Sequence, residues 1–100
     1  MKVYVLAQIR VIDAERMKTY SQMTTPIVES FGGRYLARGG KVDVLEGSYS
    51  HTRTAIIEFP DAAAAHSWWN SDEYKDAKNL RQQIAQTDLT LIEGISAPFT

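Results

Sequence analysis

The stretch TRTAIIEFPDAAAAHSWWN, residues 52–70, decides the fold. Its first eight residues are rich in β-branched and aromatic side chains, as in a half-buried strand. Pro60-Asp61 then opens a helix, because proline suits the first turn and aspartate caps free amides. The same passage from strand through Asp-Ala into helix occurs earlier, where KVYVLAQIRVI, residues 2–12, runs into Asp13-Ala14. Two strand–helix units in one short chain point to a split arrangement in which both halves share a sheet.

Working outward, residues 2–12 alternate. Val3, Val5, Ala7, Ile9 and Val11 fall on one face, and Tyr4, Leu6, Gln8 and Arg10 on the other. Met17, Tyr20, Thr24, Ile27, Val28 and Phe31 recur at spacings of three and four, which predicts a core-facing helix stripe after Asp13. Pro26 is expected to kink or break that helix near residue 22, and Gly32-Gly33 to end it. Residues 34–46 read as a strand broken by Gly39-Gly40, 46–51 as a turn, and 52–59 as the next strand. Ser71 caps a further helix from Asp72 to about Gln86, with Tyr74, Ala77, Leu80 and Ile84 on its apolar side. Residues 87–95 form a last strand, and SAPFT a tail. The order β-α-β-β-α-β predicts one ferredoxin-like α+β domain over residues 1–95, with an antiparallel or mixed sheet and a tail over 96–100. Right-handed crossovers place the helices on one side of the sheet.

A chain of 100 residues supports one modest core. Net charge is −1 with acids and bases interspersed, so no general attraction to nucleic acid or an anionic membrane is expected. The absence of cysteine excludes a disulfide framework, a thiolate zinc site and a cysteine nucleophile. The alternating N-terminus reads as neither signal peptide nor membrane span, and the expected location is the cytoplasm.

The two sheet faces differ. Aligning Asp13 with Asp61 and treating the first and third strands as parallel neighbours gives one almost wholly apolar face, to lie under the helices. The other mixes Tyr4, Leu6 and Ile56 with polar groups, and places Arg10 beside Glu58. Such a face is poorly suited to water. A second copy of the sheet would cover it, so a homodimer is expected, with Arg10, Glu58, Tyr4 and Leu6 at its interface.

The chain resembles the family of domains of unknown function numbered 1330. The residues that carry the likeness are Tyr20, the run Gly32-Gly33-Arg34-Tyr35-Leu36-Ala37-Arg38-Gly39-Gly40, then Val44-Leu45-Glu46-Gly47, Ile57-Glu58-Phe59-Pro60, Trp68-Trp69-Asn70-Ser71 and Tyr74. Asp72 stands where the family commonly has proline, and Trp69 where it has tyrosine. The family is similar to the dimeric α/β-barrel superfamily, which implies a dimer whose two sheets form a barrel. That superfamily includes cofactor-independent oxygenases, lactone isomerases, haem enzymes and proteins without known activity, so the resemblance implies a fold and not a reaction.

Arg38-Gly39-Gly40-Lys41 lacks the following helix that a phosphate loop needs. Its glycines read as a strand bend, with Arg38 either paired to Glu46 or presenting its planar fork to a ligand carboxylate or carbonyl. His51 and His66 have no metal-ligand spacing, so no metal and no other cofactor are expected. His51 and Glu58 are the candidate proton-transfer groups. Tyr20, Trp68 and Tyr74 are candidate walls of a cleft between helices and sheet, with Arg38 and Glu46 as its polar groups. Adjacent helical positions diverge by about 100°, so only one of Trp68 and Trp69 can face the core. Two readings follow. One is a small homodimeric protein binding a small aromatic or acidic molecule in that cleft, with any catalysis cofactor-independent and oxygenase- or isomerase-like. The other is a non-catalytic dimerisation or accessory module. A cavity of at least ~300 Å³ on which Arg38, His51 or Glu58 converge would favour the first.

Overall fold

The computed structural model describes residues 1–95, so the SAPFT tail lies outside the described residues. The element order is β1 (Val3–Val11), α1 (Ala14–Ser30), β2 (Arg34–Arg38), β3 (Arg53–Phe59), α2 (Ala62–Trp69), α3 (Asp72–Ile84) and β4 (Ala85–Glu93). The strands form one antiparallel sheet in the order β2-β3-β1-β4. This is an α+β, ferredoxin-like arrangement. No helix among the described residues is long and apolar enough to cross a membrane.

Side-chain caps begin each helix. Asp13 accepts from the Arg16 amide at 3.1 Å, Asp61 from Ala64 at 2.8 Å and Ser71 from Tyr74 at 3.1 Å. Each satisfies an amide that the first helical turn leaves without a partner. Helix α1 runs unbroken through Pro26, contrary to the expected break. Pro26 and Gln22, whose carbonyl the proline leaves free, are both exposed, while Thr24 and Val28 are fully buried and hold the helix to the core. Gly32 follows the helix at φ +84°, and Gly33 lies against the Phe59 ring and Val28, where a Cβ would sit 2.7 to 2.8 Å from their atoms.

The central pair is antiparallel, not parallel. The α1 crossover returns β2 in the direction of β1, and the connection to β3 then reverses it. Val3, Val5, Ala7 and Ile9 therefore pair with Phe59, Ile57, Ala55 and Arg53. They line the core with Met17, Tyr20, Val28, Trp68, Tyr74, Ala77 and Ile84. Tyr4 faces Glu58, and Arg10 lies six residues further along the strand, roughly 20 Å away. The Arg10–Glu58 pair expected from the parallel alignment is thus not formed. Strand β2 carries its register shift between Tyr35 and Ala37, and it stops at Arg38. Residues 40–51, including the apolar Val42, Val44 and Leu45, are irregular, so the second half of the expected strand is a loop.

The helix-free face carries Tyr4, Leu6, Gln8 and Arg10, flanked by Ile56, Glu58 and Ile92. Ile92 is 50% exposed, and Leu36 on the neighbouring edge strand 48%.

Candidate functional site

One hollow lies where α1 spans the ends of the strands. It is an open cavity of about 610 Å³ lined by Val11, Ala14, Met17, Lys18, Ser21, Arg38, Gly39, Thr52 and Arg53. Arg38 leaves the end of β2. Its Nη1 donates to the Thr25 hydroxyl, which in turn donates to the Ser21 carbonyl at 2.8 Å. The guanidinium carbon lies 4.4 Å from the Tyr35 ring centroid, a cation–π contact. Arg53 reaches in from the start of β3, with Nη2 3.4 Å from the Ser21 hydroxyl and a buried Nε that has no partner. Gly39 bends the chain between them at φ +71°, and its amide donates to the Thr54 carbonyl at 3.0 Å.

Beneath this cavity is a narrow space of about 20 Å³, no bigger than a water molecule. Met17, Ser21, Arg38 and Arg53 line both spaces, and Tyr20, Tyr35 and Trp68 wall the inner one. A polar seam runs from there into the α1–α3 contact. The Tyr20 and Tyr74 hydroxyls lie 2.7 Å apart, beside the nearly inaccessible Arg81. Burial, and then the Tyr74 oxygen, push the Tyr20 phenol far above its ordinary value. Burial also raises Tyr35, next to Tyr20, although Thr24 and Arg38 pull it back in part. Burial alone would lower Arg81, but the oxygens of Tyr74 and then Tyr20 hold it above the usual arginine value. Among the described residues no carboxylate comes within ion-pair distance of Arg81, Arg38 or Arg53.

Trp68 is the core tryptophan. It is 1% exposed and packs on Tyr74 with centroids 4.5 Å apart and on Phe59 at 5.5 Å. Trp69 is half-buried, with the Lys78 ammonium 4.2 Å from its ring. Both tryptophans, with His66, Leu89 and Leu91, also border a smaller hollow of about 270 Å³ between α2 and β4.

The other sequence candidates sit elsewhere. His51 packs beside Tyr49, and its Nε2 lies 3.2 Å from Asp88 in a polar hollow of about 180 Å³ with Arg10, Gln86 and Thr87. Arg10 donates to the Ser50 carbonyl at 3.0 Å. Glu46 is exposed and forms no ion pair with Arg38. Lys41 pairs with Asp43 at 3.7 Å, so of the Arg-Gly-Gly-Lys run only Arg38 and Gly39 belong to the cavity.

Glu58 belongs to the helix-free face, where it meets Arg34 at 3.0 Å and Lys2 at 3.5 Å. Desolvation alone would raise its carboxyl, but Arg34 and then Lys2 outweigh it and hold the group below the ordinary value of 4.5. A depressed carboxyl stabilises the fold above its unfolded pKa, and that contribution is lost as pH falls through the folded one. Arg34→Met is expected to move the Glu58 midpoint, followed by NMR, back up toward the ordinary value. The stability that Glu58 contributes above its unfolded pKa should then shrink, and the loss of stability on acidification should be smaller than in the wild type, because the folded and unfolded midpoints converge. An unmoved midpoint would show that the pair does not interact.

Sequence reasoning passed over Arg53, Lys18, Arg81 and Asp88. Arg53 carried a usable signal, because in TRTAIIEF it shares the inward face with Ala55, Ile57 and Phe59. A charged residue in line with a core face either pairs or lines a cavity. Arg81 carried the same signal, four residues after Ala77 and seven after Tyr74 on the buried side of α3.

Three solved structures illustrate the fold's relatives. The protein of unknown function RPA0582 from Rhodopseudomonas palustris is 21% identical, with TM-score 0.77 over 95% of this chain and 83% of its own. A dimeric ferredoxin-like protein of unknown function from Jannaschia sp. CCS1 is 12% identical, with TM-score 0.71 over 94% of this chain and 100% of its own. SnoaB, a cofactor-independent oxygenase from Streptomyces nogalater, is 10% identical, with TM-score 0.69 over 97% of this chain and 96% of its own. No curated protein sequence matches. At these identities the likeness is one of fold. The family itself is given by the sequence, for the domain of unknown function DUF1330 matches residues 2–95, and the chain belongs to that family.

Proposed function

We propose that the chain is a homodimeric small-molecule-binding protein, with one binding cleft per subunit at the mouth formed by α1, β2 and β3. The cavity of about 610 Å³ carries this reading. It lies within the roughly 300–1,000 Å³ of ordinary ligand sites, and combines apolar walls with a few polar groups. Arg38 is the orienting residue, because its fork can hold two oxygens at once. Pairing of two subunits across the helix-free sheet face covers Leu6, Ile56 and Ile92, and the Jannaschia protein is named as dimeric.

The lining favours binding over turnover. Lys18, Arg38, Arg53, Ser21 and Thr52 supply hydrogen-bond donors, while His51 and Glu58 lie outside the cavity. SnoaB, named as a cofactor-independent oxygenase, has a similar fold, but the phenols of Tyr20 and Tyr35 wall the small space beneath this cleft and not the cleft itself.

Thermal-shift screening of the whole chain against a metabolite library tests the reading. A ligand at 100 times its Kd adds about 2.7 kcal/mol. In a domain of this size that raises Tm by about 10 °C or more. Arg38→Ala should abolish the rise. A screen with no shift, or a shift indifferent to Arg38→Ala, would count against the cleft.

A further inference from the structure

We infer that the cleft is built for an organic oxyanion, a small molecule carrying a carboxylate or phosphate on an apolar body, held by Arg53 and Lys18 as well as Arg38. This deepens the small-molecule reading and rests on it. Among the described residues three cationic side chains line the cavity and no acidic one does, although the chain as a whole carries a net charge of −1. Among the described residues the acid paired with one of them is Glu15, 3.5 Å from Lys18 on the exposed side of α1 and outside the lining. Ion pairs that exposed are weak, so Lys18 remains available to a ligand.

The two arginines are held by neutral groups, which leave their charge uncompensated. Arg38 donates to the Thr25 hydroxyl, and Arg53 makes one long contact to the Ser21 hydroxyl while its Nε has no partner. A guanidinium has five donors, so most of this capacity is open to an incoming acceptor. Gly39 is part of the same device. A Cβ there would stand 3.2 Å from the Arg53 guanidinium carbon, so the bare glycine lets Arg53 lie against the end of β2. Both guanidinium side chains line the same cavity as apolar Val11, Ala14 and Met17, so an anion placed there meets two uncompensated positive charges. The same three apolar residues give the ligand's body a surface.

The test is calorimetric and NMR titration of the full chain with four probes: benzoate, phenyl phosphate, inorganic phosphate and the neutral benzamide. Benzoate or phenyl phosphate should bind about tenfold or more tightly than benzamide, with affinity falling as salt rises. Arg53→Met and Gly39→Ala should each weaken the anionic probe about tenfold, whereas Gly40→Ala, with nothing within 4 Å of its would-be Cβ, should not. Lys18→Gln, at an exposed helix position that cannot endanger folding, should weaken it about two- to threefold and flatten the salt dependence. Benzamide binding as tightly as benzoate, unaffected by Arg53→Met, would overturn the anion assignment and leave the cleft reading standing. Inorganic phosphate equalling phenyl phosphate would overturn the organic body. Silence from all four probes would overturn both readings together.

Discussion

Trp68→Ala is expected to cost about 3–5 kcal/mol, the usual loss for truncating a buried tryptophan, against a total stability of about 5–15 kcal/mol for a domain of this kind. The side chain is 1% exposed. It touches three elements at once: Phe59 of β3 at 5.5 Å between centroids, Tyr74 of α3 at 4.5 Å, and Trp69 on its own helix at 6.1 Å. Tyr74 in turn binds Tyr20 of α1, so the indole supports the contact among all three helices and the sheet. The indole nitrogen has no hydrogen-bond partner, so the loss is one of packing alone. Tm should fall by about 12 °C or more, with a matching shift in the urea midpoint. Trp69→Ala should cost clearly less, because that ring is half-buried and partly covered by Lys78. Equal losses at the two positions would refute this account of the core.

The elements of the fold were legible because their signals are local. Period-2 alternation in 3–11 and 53–59 marks strands, and Asp13, Asp61 and Ser71 mark helix starts through amides only a few residues away. What was not legible is what depends on the third dimension. Alternation does not encode strand direction, so the parallel pairing of β1 with β3 failed, and the Arg10–Glu58 contact failed with it. The glycines of the Arg-Gly-Gly-Lys run did mark a change of direction, but they end β2, and the register shift falls earlier, between Tyr35 and Ala37. Arg38 was singled out from its neighbours in sequence. Its companion Arg53 is fifteen positions away, and β2–β3 pairing brings the two strands together. Arg81 was hidden for another reason: the helical stripe was read for apolar residues alone.

Ile56→Lys is expected to convert a dimer into a monomer without unfolding it. Ile56 lies directly across from Leu6 on the helix-free face, and Tyr4 and Ile92 form the adjacent pair. Tyr4, Leu6 and Ile56 are partly buried in the single subunit and Ile92 is half exposed, so each gains only a fraction of the about 1.5–3 kcal/mol of burial from full exposure. The rest of the face, exposed Leu36 included, must add to them to offset an association cost of about 4–15 kcal/mol. In an isolated subunit the face is open, and a lysine there extends its ammonium into water. Between two sheets the same ammonium would be buried beside its symmetry mate, with no carboxylate at that height: Glu58 is two residues along the strand and already engaged by Arg34 and Lys2. Losing the apolar gain and adding two unpaired charges shifts the balance by several kcal/mol. Light scattering should therefore give twice the chain mass for the wild type and the single mass for Ile56→Lys, with the same far-ultraviolet circular dichroism. A wild type of single mass would remove the dimer. An Ile56→Lys variant that stays dimeric would move the interface to another face, and the exposed loop apolar residues Val42, Val44 and Leu45 would be the next to substitute.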